Sequence, residues 1–149
     1  MLKNSYISLL VQTLAGGIIM YLVMFVMIDN LGSFYNNLNM FYMTLMMVAP
    51  MVVLMIWAMR HMFASRRANV ALTLGAIAIF FGSFSLIRTQ TTIGDREFLH
   101  SMIPHHSGAI LMCQQADLRD QRVLDLCGEI VTSQRSEIEL MKTILANPR

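Results

Sequence analysis

The sequence predicts an all-α membrane protein in which three transmembrane helices precede an extracytoplasmic, antiparallel helical hairpin. Three apolar stretches are each long enough to cross a bilayer, and most of the charge lies after them. Only 13% of the 149 residues are charged, against about 25% in an average soluble domain. The charged C-terminal part shows a helical repeat of apolar residues. We therefore expect a transmembrane anchor at residues 1–88 and a separate helical domain at residues 95–149.

The three predicted spans are residues 8–28, 40–59 and 68–87. Each has about 20 residues, which at about 1.5 Å per residue matches the hydrocarbon core of a bilayer. The spans must be helical because lipid offers no partners to backbone amides. We interpret the first span as an anchor rather than a cleaved signal peptide, since its apolar run is long and its small residues lie inside it.

The loops between the spans predict the orientation. The segment "RHMFASRR" between the second and third spans carries three arginines, whereas "DNLGSFYNNLN" between the first and second carries no Lys or Arg. Lys3 precedes the first span. The positive-inside rule therefore places the N-terminus and the basic loop in the cytoplasm and the C-terminal domain outside.

The second span carries a stripe of methionines at spacings of three or four residues. They are Met40, Met43, Met47, Met51, Met55, Met59 and Met62. Methionine fills irregular gaps between helices, so adaptable packing is one interpretation. The other is a ladder of thioethers that holds or passes Cu(I), which prefers soft sulfur ligands. Both interpretations stay open at this point.

The C-terminal domain is predicted to be two helices. Asp95 is the predicted N-cap of a first helix, which reaches about Leu118. Asp120 is the predicted N-cap of a second helix, which runs from Gln121 to about Ala146 and is closed by Asn-Pro. The short connection makes the two helices antiparallel. The first is expected to face inward with Phe98, Met102, His106, Ala109, Cys113 and Ala116. The second is expected to do so with Cys127, Ile130, Gln134, Ile138, Met141 and Leu145.

This register predicts the contacts across the hairpin. Cys113 opposes Cys127, and His106 opposes Gln134 or Glu137. Met102 opposes Ile138 or Met141. Because two helices alone bury too little surface to be stable, we expect the hairpin to dimerise into a four-helix bundle or to pack on a partner.

The segment "MIPHHSGAILM" combines soft sulfur with imidazole. Met102, His105 and His106 lie at i, i+3 and i+4, so both rings neighbour the thioether on a helix. Imidazole and thioether together suit copper. Adjacent histidines diverge by about 100° on a helix and need not bind one ion. In such a site Gln134 and Glu137 would hydrogen-bond the ligating histidines from the second helix. The alternative is that the histidines only hydrogen-bond Gln134 and Glu137 across the hairpin and that the methionines are core residues. Pro104 either bends this helix or begins its main part.

The two cysteines also have two interpretations. In an oxidising outer compartment, Cys113 and Cys127 are expected to form a disulfide, which is the interpretation we favour. The alternative is a pair of thiolates that adds two ligands to a Cu(I) site.

The runs "FLHSMIPHHSGAILM", "LCGEI" and "QRSEIELM" resemble the domain-of-unknown-function 305 family over about residues 95–146. The resemblance implies two helices of a ferritin-like bundle. It also implies a periplasmic copper-binding role for Met102, His105, His106 and Met141, with Met112 as a further candidate. Cys113 and Cys127 stand where members of that family typically have small residues.

These observations lead to an expected function. We expect a copper(I)- or silver(I)-binding protein of the bacterial inner membrane, with a periplasmic hairpin that serves metal homeostasis or tolerance. Its expected partners are the lipid bilayer, further copies of the chain and a copper-handling protein. The alternative is a structural or partner-binding membrane subunit without metal. An enzyme is not expected, because di-iron sites need several inward carboxylates. The net charge of +2 gives no case for nucleic-acid binding.

Overall fold

A computed structural model of the chain describes residues 2–147, with side chains from Ser5 onward. Within this range every regular element of secondary structure is a helix, which confirms the all-α class. The α-helices are α1 (Leu2–Val23), α2 (Leu38–Ala58), α3 (Arg66–Thr89), α4 (Asp95–Gln115) and α5 (Gln121–Ala146), with a 3-10 helix at Leu31–Ser33. The Lys3 side chain, used for the orientation, and Pro148, used for the end of α5, lie outside the described residues.

The chain divides into two compact units. The membrane unit comprises Met1–Val23 and Asn39–Thr92, and the hairpin unit comprises Met24–Leu38 and Ile93–Arg149. Three helical stretches are long and apolar enough to cross a membrane: Ser5–Val23, Leu38–Ala58 and Arg66–Thr89. Their lengths of 19, 21 and 24 residues match what a bilayer requires.

The first span ends earlier than the sequence predicted. The prediction extended it to Ile28, but α1 ends at Val23 and the next residues belong to the hairpin unit. Phe25 is buried there, with its ring 4.1 Å from that of Phe34. An apolar run can be buried by lipid or by protein, and composition does not distinguish the two. The loop after α1 is therefore part of a protein core.

Packing within the membrane unit uses part of the methionine stripe. Met55 and Met59 lie against a buried cluster that consists of Leu9, Ile56 and Phe63. A side chain at Gly16 would place its Cβ 3.4 Å from Cε of Met51, so the glycine lets α1 and α2 approach closely. Met43 and Met47 are exposed. Packing therefore accounts for Met51, Met55 and Met59, and the thioether ladder stays a prediction.

The hairpin helices differ from the prediction mainly at the ends of α4. Gly94, not Asp95, is the N-cap of α4. Asp95 is the first helical residue, where its negative charge interacts favourably with the positive end of the helix dipole. The helix ends at Gln115, before the predicted Leu118. It runs through Pro104 without restarting there. For α5 the prediction is confirmed: Asp120 is the N-cap and accepts a hydrogen bond from the backbone N–H of Arg122.

Helix α4 is buried on two sides. On one side it packs against α5 around a core of Ile103, Ile110, Ile138 and Met141. On the other side α4 packs against residues 24–38. On this side Ser107 of α4 has no exposed surface, and a Cβ at Gly108 would lie 3.4 Å from the carbonyl oxygen of Met27. The predicted inward position of Phe98 is wrong, since its side chain is 51% exposed. The second packing surface turns α4 so that Ile103 and Ile110 face the core instead.

Candidate functional site

The two cysteines set the register of the hairpin near its turn. Cys113 on α4 and Cys127 on α5 form a disulfide, with their Cα atoms 5.4 Å apart. In this state neither sulfur is a thiolate. The site must therefore be built from the other predicted ligands.

His106 lies between the two helices and is almost fully buried. Its Nδ1 is 2.8 Å from the backbone carbonyl oxygen of Met102, and its Nε2 is 2.7 Å from Oε2 of Glu137. A carbonyl oxygen can only accept, so Nδ1 carries a hydrogen. This bond fixes the ring orientation and aims Nε2 across the hairpin at α5.

Glu137 is the partner that α5 supplies to His106. Its carboxylate also accepts a hydrogen bond of 2.6 Å from the hydroxyl of Ser133. The Ser133 hydrogen bond, followed by that of His106, holds the pKa of Glu137 below its usual range. Glu137 is therefore a carboxylate at neutral pH; Ser133 donates to its Oε1, and its Oε2 faces Nε2 of His106. The sequence left the choice between Gln134 and Glu137 open, and the geometry selects Glu137.

Two of the predicted sulfur ligands, Met102 and Met141, belong to the hydrophobic core between α4 and α5. Met141 is 8% exposed and belongs to the buried core between α4 and α5. Met102 is half-buried and packs against that core, and its carbonyl holds the His106 ring. Met102, His106, Glu137 and Met141 form what we call the inner group.

The remaining predicted ligands point away from the inner group. His105 is exposed, and the Met112 side chain is 54% exposed. The centres of the His105 and His106 rings are 5.8 Å apart. Three of the five predicted ligands therefore belong to the inner group, and His105 and Met112 form an outer pair. Among residues 2–147, no three His, Cys, Asp or Glu side chains come together as a metal-binding group.

The inner group fits a soft metal ion in donor type but is closed in this conformation. One imidazole and two thioethers are ligands that Cu(I) accepts. Ligating histidines typically donate their second N–H to a carbonyl or carboxylate, as Nδ1 of His106 does here. However, Glu137 occupies Nε2, the nitrogen that would coordinate. Binding therefore requires the exchange of this hydrogen bond for the ion.

A polar contact that the sequence did not predict joins residues 24–38 to α4. The backbone N–H of Asp29 donates to Oγ of Ser107 at 2.8 Å, and the Ser107 hydroxyl donates to the Asp29 carboxylate. Burial raises the pKa of Asp29, but hydrogen bonds from Ser107, Asn30 and Ser33 outweigh it, so the pKa lies below its ordinary value. The available signal was that Asp29 is the single acid in residues 1–87.

His100 is a second residue that this packing explains. Its Nδ1 lies 3.2 Å from the carbonyl oxygen of Asn36, and its ring centre is 5.3 Å from that of Tyr35. The histidine thus faces residues 24–38 rather than the inner group. It serves packing within the hairpin unit.

Comparison with known proteins gives two matches. The model of the domain of unknown function DUF305 matches residues 85–145. "Uncharacterized protein L153" of Acanthamoeba polyphaga mimivirus is 36% identical over 119 residues, which cover 78% of this chain and 76% of that protein. No solved structure matches the chain.

Proposed function

The chain belongs to the DUF305 family, and on this premise we propose that it is a membrane-anchored protein that binds a soft metal ion, Cu(I) or Ag(I), in its hairpin unit. The viral relative is named as uncharacterized and brings no activity with it. The proposal therefore depends on the chemistry of the inner group. Three apolar helices supply the anchor.

The observation that carries the proposal is the hydrogen bond between Nδ1 of His106 and the carbonyl oxygen of Met102. It commits Nδ1 as a donor and leaves Nε2 as the nitrogen that can bind a metal. Met102 lies one helical turn before His106, and Met141 lies one turn after Glu137, so each thioether neighbours this pair on its own helix. A preoriented imidazole beside two thioethers favours a monovalent soft ion over Mg²⁺ or Ca²⁺, which prefer oxygen ligands.

Glu137 acts as the partner of His106 when no ion is bound. A metal needs the lone pair of Nε2, so binding displaces Glu137 and any proton on that nitrogen. The displaced carboxylate remains nearby, since Ser133 still donates to it.

Silver titration of the full chain in detergent micelles tests the proposal. We expect one Ag(I) per chain, with at least tenfold weaker binding in His106→Gln and in the double variant Met102→Leu/Met141→Leu. His105→Gln is the matched control, because it removes the neighbouring imidazole from the exposed surface. Binding that is absent from the wild type, or that is lost in His105→Gln but kept in His106→Gln, would overturn the proposal.

Glu137→Gln gives an independent result on the same site. If Glu137 competes with the ion, its replacement raises the affinity for Ag(I), because a neutral amide holds Nε2 less strongly than a carboxylate. If Glu137 were a ligand, the affinity would fall. The direction of the change therefore separates the two roles.

A second candidate function is a structural membrane subunit whose hairpin docks on another protein. The observation in its favour is the set of exposed apolar side chains on α4 and α5, such as Met112 and Leu140. This candidate predicts a stoichiometric partner in protein purified from its native membrane and no bound metal. Metal analysis and mass spectrometry of the same preparation distinguish the two candidates.

The location of the hairpin and the use of the metal complete the proposal. The charge of the loops favours a hairpin outside the cytoplasm, in the periplasm if the chain is placed in a bacterial inner membrane. There the protein would serve copper homeostasis or tolerance and exchange the ion with a copper-handling protein. The orientation is tested with Ser65→Cys in the basic loop and a membrane-impermeant thiol reagent. Labelling of this cysteine in intact cells would show that the basic loop lies outside and would contradict the proposed orientation.

A further inference from the structure

One side of the hairpin unit is apolar and uncovered. We call it the outer face and define it by six residues: Phe98, His105 and Met112 on α4, and Leu126, Leu140 and Ile144 on α5. The five apolar side chains are between 48% and 60% exposed. Exposed apolar side chains grouped on one side of a domain point to an interaction site.

The two halves of the outer face lie on the same side of the hairpin. The contact between His106 and Glu137 crosses the rim between α4 and α5. His105 precedes His106 and points outward from this rim. On α5, Leu140 and Ile144 lie three and seven residues after Glu137, so they are on the same side of that helix. The two stripes therefore flank one rim and form a single surface.

The spacing on the outer face is that of a helical bundle. Phe98, His105 and Met112 are seven residues apart, and Leu126 and Leu140 are two such repeats apart, with the polar Ser133 at the position between them. A seven-residue repeat keeps one stripe turned toward a neighbouring helix in a left-handed bundle. Among the described helices, α5 contacts α4 and no other helix. The hairpin thus presents a second helix-packing surface in addition to its internal one.

We propose that a second copy of this chain covers the outer face, so that two hairpins form a four-helix bundle. The repeat on α4 is centred on His105, with an aromatic residue seven positions before it and a thioether seven positions after it. A twofold axis at His105 packs Phe98 against Met112 of the partner subunit, and Met112 against the partner's Phe98. Sulfur–aromatic contacts of this kind are favourable. The face is therefore complementary to itself.

Size and charge agree with a second copy. Helix α4 has 21 residues, so two adjacent helices offer a face of about 30 by 20 Å, or about 600 Å² in projection. A standard interface takes about 800 Å² of accessible surface from each partner. None of the six residues is Lys, Arg, Asp or Glu, and the carboxylate of Glu137 on the rim between the stripes is already paired with His106 and Ser133. The face therefore offers no cation to anionic lipid headgroups.

The oligomeric mass of the metal-free full chain in detergent micelles tests the proposal. We expect a dimer for the wild type and at least a tenfold weaker dimer for Leu140→Glu. Leu124→Glu is the matched control, because Leu124 is 42% exposed on the same helix but lies about 160° around it. Circular dichroism and the intact disulfide confirm that each variant is folded. A monomeric wild type, or equal effects of the two variants, would overturn the proposal.

A charge swap makes the test independent of single-variant folding. Phe98→Lys and Met112→Glu are each expected to weaken the dimer. The double variant restores it, because the twofold axis places each lysine against the glutamate of the other copy. Failure of this rescue excludes the proposed pairing. A dimer held only by the transmembrane helices would be insensitive to all of these changes, and a foreign protein bound at the outer face would replace the dimer.

Discussion

Replacing Ser107 by alanine tests the finding that residues 24–38 and the hairpin form one unit. The change removes two hydrogen bonds, one to the Asp29 carboxylate and one from the Asp29 backbone N–H. A bond to a charged group contributes about 1.5–3 kcal/mol and a neutral one about 0.5–1.5 kcal/mol. Asp29 is only partly buried, so water replaces part of the loss. We therefore expect a destabilisation of about 2 kcal/mol, at the lower end of the sum.

Hydrogen exchange of the full chain in detergent micelles measures this effect locally. A loss of about 2 kcal/mol corresponds to roughly 30-fold faster exchange of the amides in residues 24–38. Ser136→Ala is the control, because the Ser136 hydroxyl donates to the carbonyl oxygen of Ser133 within α5. We expect no change in residues 24–38 for that variant. Unchanged exchange in Ser107→Ala would refute the packing of residues 24–38 on α4.

The pH dependence of the same contact has a definite sign. The folded-state pKa of Asp29 lies below its ordinary value, because its hydrogen bonds outweigh the effect of burial. The carboxylate therefore stabilises the folded hairpin unit above the ordinary carboxyl range, and this contribution is lost as the pH falls through the folded-state pKa. Asp29→Asn is expected to flatten this acid dependence. An unchanged slope would contradict the assignment.

Three further predictions concern the hairpin. Removing the disulfide by Cys113→Ala/Cys127→Ala is expected to destabilise the hairpin by up to about 3 kcal/mol, as for a closed loop of about 15 residues. Circular dichroism measures this as a lower thermal midpoint, and an unchanged midpoint would contradict a stabilising role of the disulfide. Glu137→Gln should reduce the loss of hairpin stability in acid, because the pKa of Glu137 is lowered by Ser133 and then by His106; equal acid titrations of both proteins would contradict this. Gly108→Val should speed exchange in residues 24–38, because its side chain meets a backbone carbonyl, whereas Gly128→Val, with open space around it, should not.

The predicted ligands show how far the sequence supports a site. A register set by a short turn predicted that Cys113 faces Cys127 and that His106 reaches Gln134 or Glu137. These contacts follow from antiparallel helices of known pitch. The same reasoning placed Phe98 wrongly on the inward face and did not show that Met112 is exposed, because each lies at the edge of a helical stripe. The edge of a stripe is buried or exposed according to what else packs on the helix.

The part of the fold that follows from local pattern was determined by the sequence alone. Long apolar runs must be helical in lipid, and a Ser/Thr/Asp/Asn cap followed by a periodic stripe defines a helix such as α5. Only the tertiary structure decided that residues 24–38 cover the second side of α4, through Asp29 and Ser107. That contact joins residues 78 positions apart. Periodicity describes one helix at a time, so it carries no information about which distant segment covers a given face.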